Sequence, residues 1–170
     1  MNLYVFIYDG CALFEVILAC YFLKNKYNIN MISINKDLVQ VFEGMTIKCD
    51  EFINKVEITE NDVVIIPGGN IEILKDEELL KEFLELCISK NCKIGAICAG
   101  VNLLIENNII STEDKEKYSI NNIKNGDRYV LAKANEYVDF ALSLGIICDI
   151  YKDVDDFEET IRFFKQFKEC

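Results

Sequence analysis

The sequence predicts a doubly wound α/β domain with a mostly parallel central sheet, and three observations predict it. Short runs of branched and aromatic residues carry no polar alternation, as strands buried on both faces do. Segments with a helical apolar period lie between those runs. Several runs end abruptly in glycine, where a chain turns at the edge of a sheet.

The elements follow in order. Residues 2–8 (NLYVFIY) form a buried strand closed by Asp9-Gly10. A helix over 12–26 keeps its period through Leu13, Val16, Ile17, Cys20 and Leu23. Residues 29–34 give a second strand. Residues 39–49 alternate around Gly44, which suggests a small hairpin with the glycine supplying a positive φ. Residues 62–66 (DVVII) run into Pro67-Gly68-Gly69, the only proline in the chain and a strong stop. A helix over 76–91 begins with acids that suit its N-terminal dipole and is amphipathic through Leu80, Phe83, Leu84 and Cys87. Residues 93–97 are a strand and 99–106 a helix. Residues 107–126 are polar and expected to be loop. A short strand at 129–132, a helix at 136–144 and a last amphipathic helix at 155–168 complete the chain, the last carrying Phe157, Ile161, Phe163, Phe164 and Phe167. Strands alternating with helices, joined by right-handed crossovers, place helices on both sides of a parallel sheet.

Length and charge bound the function. The 170 residues are expected to form a single domain over 1–170, with 51% hydrophobic residues to fill one core. The net charge of −11 disfavours nucleic acid and anionic membranes as partners. The apolar stretch 11–23 is about 13 residues long and contains Glu15, short of the ~20 that span a bilayer. Eight cysteines are scattered through apolar patterns rather than paired in a framework, which points to reduced thiols and a cytoplasmic location. With no Cys-x-x-Cys and no histidine, neither a metal nor another cofactor is expected.

Ligands of open α/β sheets bind beyond the carboxyl ends of the strands. Three loops leave those ends, at 9–15, 67–70 and 98–102. Cys98 has small neighbours two residues away, Ala96 and Gly100, as a strand-to-helix nucleophile elbow requires. Helix N-terminal amides there favour a thiolate and a lowered pKa. Spacing alone weighs this evenly against one more buried thiol among eight. The backbone N–H groups of Gly68, Gly69 and Ala99 are candidate oxyanion-hole donors, although a Gly-Gly pair by itself more often only turns the chain. Glu15 sits within an apolar run at the start of the first helix, either as a solvated face residue or as a buried functional group. Close to Cys98 the two acids cannot both ionise cheaply, so a shared proton is expected, carboxylic acid facing thiolate.

Four blocks, in order, resemble the DJ-1/PfpI superfamily, relatives of class I glutamine amidotransferases. They are Asp9-Gly10 with Phe14-Glu15, residues 63–69 (VVIIPGG), residues 95–100 (GAICAG) and residues 131–142 (LAKANEYVDFAL). The resemblance implies a flavodoxin-like sandwich, commonly a homodimer, with the elbow cysteine at Cys98 and its partner carboxylate at Glu15. It also implies a spread of activities: amidase or protease-like hydrolases, isocyanide hydratases, glyoxalase or deglycase-like enzymes, and oxidation-responsive stress proteins. This chain departs from many members in having Ala99 after the cysteine, and its segment 111–127 contains no histidine. A Cys-His-acid triad cannot be assembled from these residues, in one subunit or between identical ones, which argues against protease activity. Tyr118, Asn121 and Asn122 are the polar residues of that segment that remain as guesses for a third partner.

Two readings of function follow, with small-molecule partners in both. Cys98 and Glu15 serve a cysteine-dependent hydrolase or lyase acting on a small electrophile, or they form an oxidation-responsive site without turnover. A degenerate scaffold that only binds is a third, which the missing histidine supports, but the presence of both Glu15 and Cys98 inclines the reading to the enzyme.

Overall fold

The computed structural model describes residues 1–111, 113–114, 123–125 and 128–169. The chain opens with β1 (Asn2–Phe6), α1 (Phe14–Leu23) and β2 (Asn28–Ser33), followed by the hairpin β3 (Leu38–Gln40) and β4 (Thr46–Lys48). β5 (Glu51–Phe52), β6 (Val63–Ile66), α2 (Glu78–Ser89), β7 (Lys93–Ile97) and α3 (Gly100–Glu106) come next. β8 (Ile123–Asn125), β9 (Tyr129–Ala132), α4 (Tyr137–Ile147) and α5 (Val154–Phe164) complete the order.

Seven strands pair as β5-β2-β1-β6-β7-β9-β8. All neighbours are parallel except β8 and β9. β6 is buried along its whole length, which is why its sequence shows no alternation. Order reverses between β1 and β6: the chain leaves β1 towards β2 and leaves β6 towards β7. Right-handed crossovers then put α1 and α2 on opposite faces, and a crevice opens at the carboxyl ends of β1 and β6. α1 packs on α4, and α4 on β7 and β9. Gly95 permits that approach, because a Cβ there would sit 2.9 Å from the Phe140 ring.

Two expectations are corrected. The polar stretch 107–126 contains β8, an edge strand of three residues and so too short to show a strand period in the sequence. The last helix ends at Phe164 rather than 168, since Gln166 and Lys168 bond to carbonyls outside the helical pattern and Phe167 takes a positive φ of 56°. Phe164 of that helix meets Phe22 of α1 edge to face at 4.9 Å. The hairpin turns at Gly44, with φ 82° as the sequence requires. No helix among the described residues is long and apolar enough to cross a membrane.

Candidate active site

The loops after β1 and β6 interlock. Ala12 N–H donates to the Gly68 carbonyl at 2.9 Å and Asn70 N–H to the Gly10 carbonyl at 3.1 Å. Cys11 and Gly69 form an isolated antiparallel bridge between them. Gly69 has φ +121°, and a Cβ there would lie 2.2 Å from the Gly10 oxygen, so only glycine lets the loops meet. Tyr8, buried at the end of the first apolar run, donates its hydroxyl to the Gly68 carbonyl at 2.8 Å and fixes the orientation of that peptide.

Cys98 follows β7 with φ 57°, a left-handed conformation that costs a side-chain-bearing residue about 1–2 kcal/mol. Its N–H is held by the Ala132 carbonyl of β9 at 2.8 Å. Its carbonyl accepts from Val101 at 3.2 Å, in the first turn beyond the elbow. Gly100 admits the turn because a Cβ there would come within 2.5 Å of the Ile66 oxygen and 2.7 Å of the Pro67 oxygen. Cys98 is partly exposed, whereas every other described cysteine is buried.

Glu15 is buried, with 2% of its surface exposed. Its Oε2 accepts the Gly68 N–H at 2.8 Å. A Cβ built on Gly68 would lie 2.7 Å from Cys98 Sγ and 2.8 Å from Glu15 Oε2. The bare Gly68 backbone is therefore the place where sulfur and carboxyl meet. The sequence grouped Gly68 with Gly69 and Ala99 as donors to a reacting oxygen. The Gly68 amide instead belongs to Glu15, because that carboxyl is buried and needs a donor. The amides of Ala99 and Gly69 face the sulfur.

Burial, then the Glu15 charge, push the Cys98 thiol above its ordinary range, against the pull of the Ala99 and Gly69 amides. Burial also pushes Glu15 above the usual carboxyl range, opposed by the Gly68 amide and the contact with Cys98, with Glu43 adding repulsion. The expected lowering of the thiol pKa is thus reversed in direction. A seven-residue helix contributes only local amides, and they are outweighed by burial beside a second acid. Two neighbouring acids raised together disfavour ionisation of both at once, so their protonation is coupled.

Glu43 was not singled out by the sequence. It reaches from the β3–β4 turn to accept the Phe14 N–H at 2.7 Å, capping the helix that carries Glu15. Only its place beside Gly44 marked it. Tyr118, Asn121 and Asn122 lie outside the described residues. A cleft of about 680 Å³ opens beside the β1 loop, lined by residues that include Tyr8, Gly10, Lys36, Val39 and Asn70, with neither Cys98 nor Glu15 in its wall. No group of three or more potential metal ligands occurs among the described residues.

These features accord with what the chain is similar to. A family model described as the DJ-1/PfpI family matches residues 1–135. "Putative cysteine protease YraA" of Bacillus subtilis (strain 168) is 28% identical over 76 residues, 44% of this chain and 45% of that protein's length. The chain thus matches less than half of this curated relative. A thiJ/pfpI family protein from Bacillus anthracis superposes with a TM-score of 0.81 at 15% identity, over 98% of this chain and 91% of that one. DJ-1 of Toxoplasma gondii, solved in oxidized form, gives 0.74 at 16% identity, over 95% and 96%. Structural likeness at such identities speaks for the fold; the family match over most of the chain speaks for descent, and on it this protein belongs to the DJ-1/PfpI family.

Proposed function

We propose that the protein is a cysteine-dependent enzyme acting on small electrophiles such as aldehydes, amides or isocyanides, with Cys98 as nucleophile and Glu15 as its proton partner. One observation carries this: a partly exposed sulfur and a buried carboxyl meet at the bare backbone of Gly68, whose amide holds the carboxyl. With an aldehyde or amide, Sγ bonds to the carbonyl carbon and the π pair of the carbonyl moves to its oxygen. The single proton of the pair passes through Glu15 to that oxygen. As the sulfur becomes a thioether its need for donors falls, and the Gly69 and Ala99 amides become available to the oxygen. The relative from Bacillus subtilis carries a name for cysteine chemistry, which supports the nucleophile but not a protein substrate.

The test is turnover across a panel of aldehydes, amides and isocyanides, with intact-mass detection of covalent adducts. Adducts map to Cys98, and turnover disappears in Cys98→Ser. Undiminished turnover in that variant overturns the assignment.

A second reading rests on the same exposure. Among the described cysteines only Cys98 is open to solvent, so a hydroperoxide would oxidise it selectively to sulfenic and then sulfinic acid, with Glu15 as hydrogen-bond partner. The similar DJ-1 of Toxoplasma gondii was solved in an oxidized form. Adducts without turnover on any member of the panel, together with peroxide oxidation confined to Cys98, favour this reading over the enzyme.

A further inference from the structure

Helix α2 ends in a cap that differs in its side chains from two others in the molecule. Asn91 takes φ 58°, its N–H donates to the Ile88 carbonyl at 3.0 Å, and the Cys92 N–H donates to the Cys87 carbonyl at 3.1 Å. That pair of bonds defines a Schellman cap, in which the side chains of the outer donor and acceptor residues come together as a small apolar contact. α3 has the same long-reach bond from Ile109 to Leu104, at 2.8 Å past Asn108 with φ 57°, and α4 has it from Ile150 to Gly145, at 3.2 Å past Asp149 with φ 51°. Only on α2 are both residues thiols.

Both side chains are shielded, Cys87 at 0% and Cys92 at 2% exposure, and the bond from the Cys92 N–H to the Cys87 carbonyl brings the two residues together. The four residues between them, Ile88 to Asn91, are all exposed. Both cysteines sit at the margin where a surface turn at a helix end meets the hydrophobic core, and a helix end is where opening is least costly. Neither thiol has a role in the Cys98 site. About six residues of extended chain, on the order of 20 Å, separate Cys92 from Cys98 along β7, too far for a direct bond.

We propose that Cys87 and Cys92 form a second redox site, a dithiol that low-molecular-weight disulfides of the glutathione class convert to an intramolecular disulfide. When the cap turn opens, the Cys92 thiol gives its proton to solvent and its sulfur attacks one sulfur of the reagent. The reagent S–S bond breaks and one small thiol leaves with a proton. The Cys87 sulfur, deprotonated in turn, attacks Cys92 and displaces the second small thiol. The protein loses two protons and two electrons, and the reagent, reduced to two small thiols, gains both. The product locks the α2 cap to the start of β7, the strand that ends at the elbow.

The experiment uses the full chain carrying Cys98→Ser, so that chemistry at the elbow cannot contribute. The folded protein is titrated with oxidised glutathione, blocked with a maleimide and digested with trypsin without reduction. Lys90 lies between the two cysteines, so cleavage there turns the ring into two linked peptides. The expected result is a Cys87–Cys92 linkage about two mass units below the reduced pair and reversed by dithiothreitol. The Cys87→Ser variant should stop at a mixed disulfide on Cys92. Slower hydrogen exchange at the Asn91 and Cys92 amides should accompany closure. Linkage of other cysteines instead, or closure of this pair only in urea, overturns the proposal. Neither outcome bears on whether Cys98 turns over a substrate.

Discussion

At Cys98 the backbone conformation and the side chain can be separated by substitution. The left-handed φ of 57° disfavours any residue with a Cβ. Cys98→Gly is therefore expected to be more stable than Cys98→Ala by about 1 kcal/mol, read from urea midpoints at equal m. Equal stability of the two variants would mean that the elbow stores no strain. Glu15 gives a pH-dependent test. Its carboxyl is raised in the fold, chiefly by burial, so the folded state prefers the protonated form. The stability this contributes is fully present below the ordinary carboxyl pKa and is lost as pH rises through the raised folded value. Glu15→Gln keeps an acceptor for the Gly68 amide but has no charge to bury. Its stability relative to the parent should therefore climb from acid to neutral pH. In the same variant the pH midpoint for alkylation of Cys98 should fall, because the charge that raises the thiol is gone. A midpoint that stays in place would show that the two groups do not share a proton.

At the scale of elements, the two ends of the sheet have different duties. At the amino end, Asp62 is buried and accepts from the Asn2 N–H at 2.7 Å and from the Thr59 N–H and hydroxyl at 2.9 and 2.8 Å. It ties β1 to the chain entering β6. Asp62→Ala strands those donors and should cost about 2–3 kcal/mol while leaving the Cys98 alkylation rate unchanged. At the carboxyl end, Gly100→Ala drives a Cβ into the carbonyls of Ile66 and Pro67, which are backbone and cannot swing aside. There α3 must move away from β6, so the alkylation rate at Cys98 should change along with stability. A Gly100→Ala protein with native reactivity would show the elbow to be looser than its geometry indicates.

Across the whole molecule, the surface of α1 carries a half-exposed apolar row. Phe14, Ile17 and Tyr21 recur at helical spacing and are each about half exposed, at 50%, 46% and 52%. Phe14 meets Tyr137 edge to face at 5.9 Å, which extends the row onto α4. Glu15 lies on the opposite side of the same helix, so the helix that positions the carboxyl also presents this row. An isologous pair of such patches would form the interface of the homodimer that the family resemblance implies. Ile17→Lys should shift sedimentation from dimer to monomer without lowering the thermal midpoint extrapolated to low concentration. A monomeric parent protein removes the basis for this interface.

Much of the architecture was legible in the residues. β7 and β9 fall where the apolar runs place them, and Gly44 turns the hairpin, because full burial and positive φ leave direct marks on composition. The edge strand β8 left no such mark, and the end of α5 depends on which carbonyls the last amides find. Residue types and spacing reveal the alternation of strands and helices, while Cys98 and Glu15 stand out only through the order of the four family-like blocks. The folded chain adds that Glu15 is buried, that the Gly68 amide donates to it, and that Tyr8 and Glu43 support the site. Pairing across 53 residues, as between Glu15 and Gly68, is set by the order in which strands enter the sheet. The direction of the thiol pKa was decided there too, because desolvation depends on everything packed around a group and not on its neighbours in sequence.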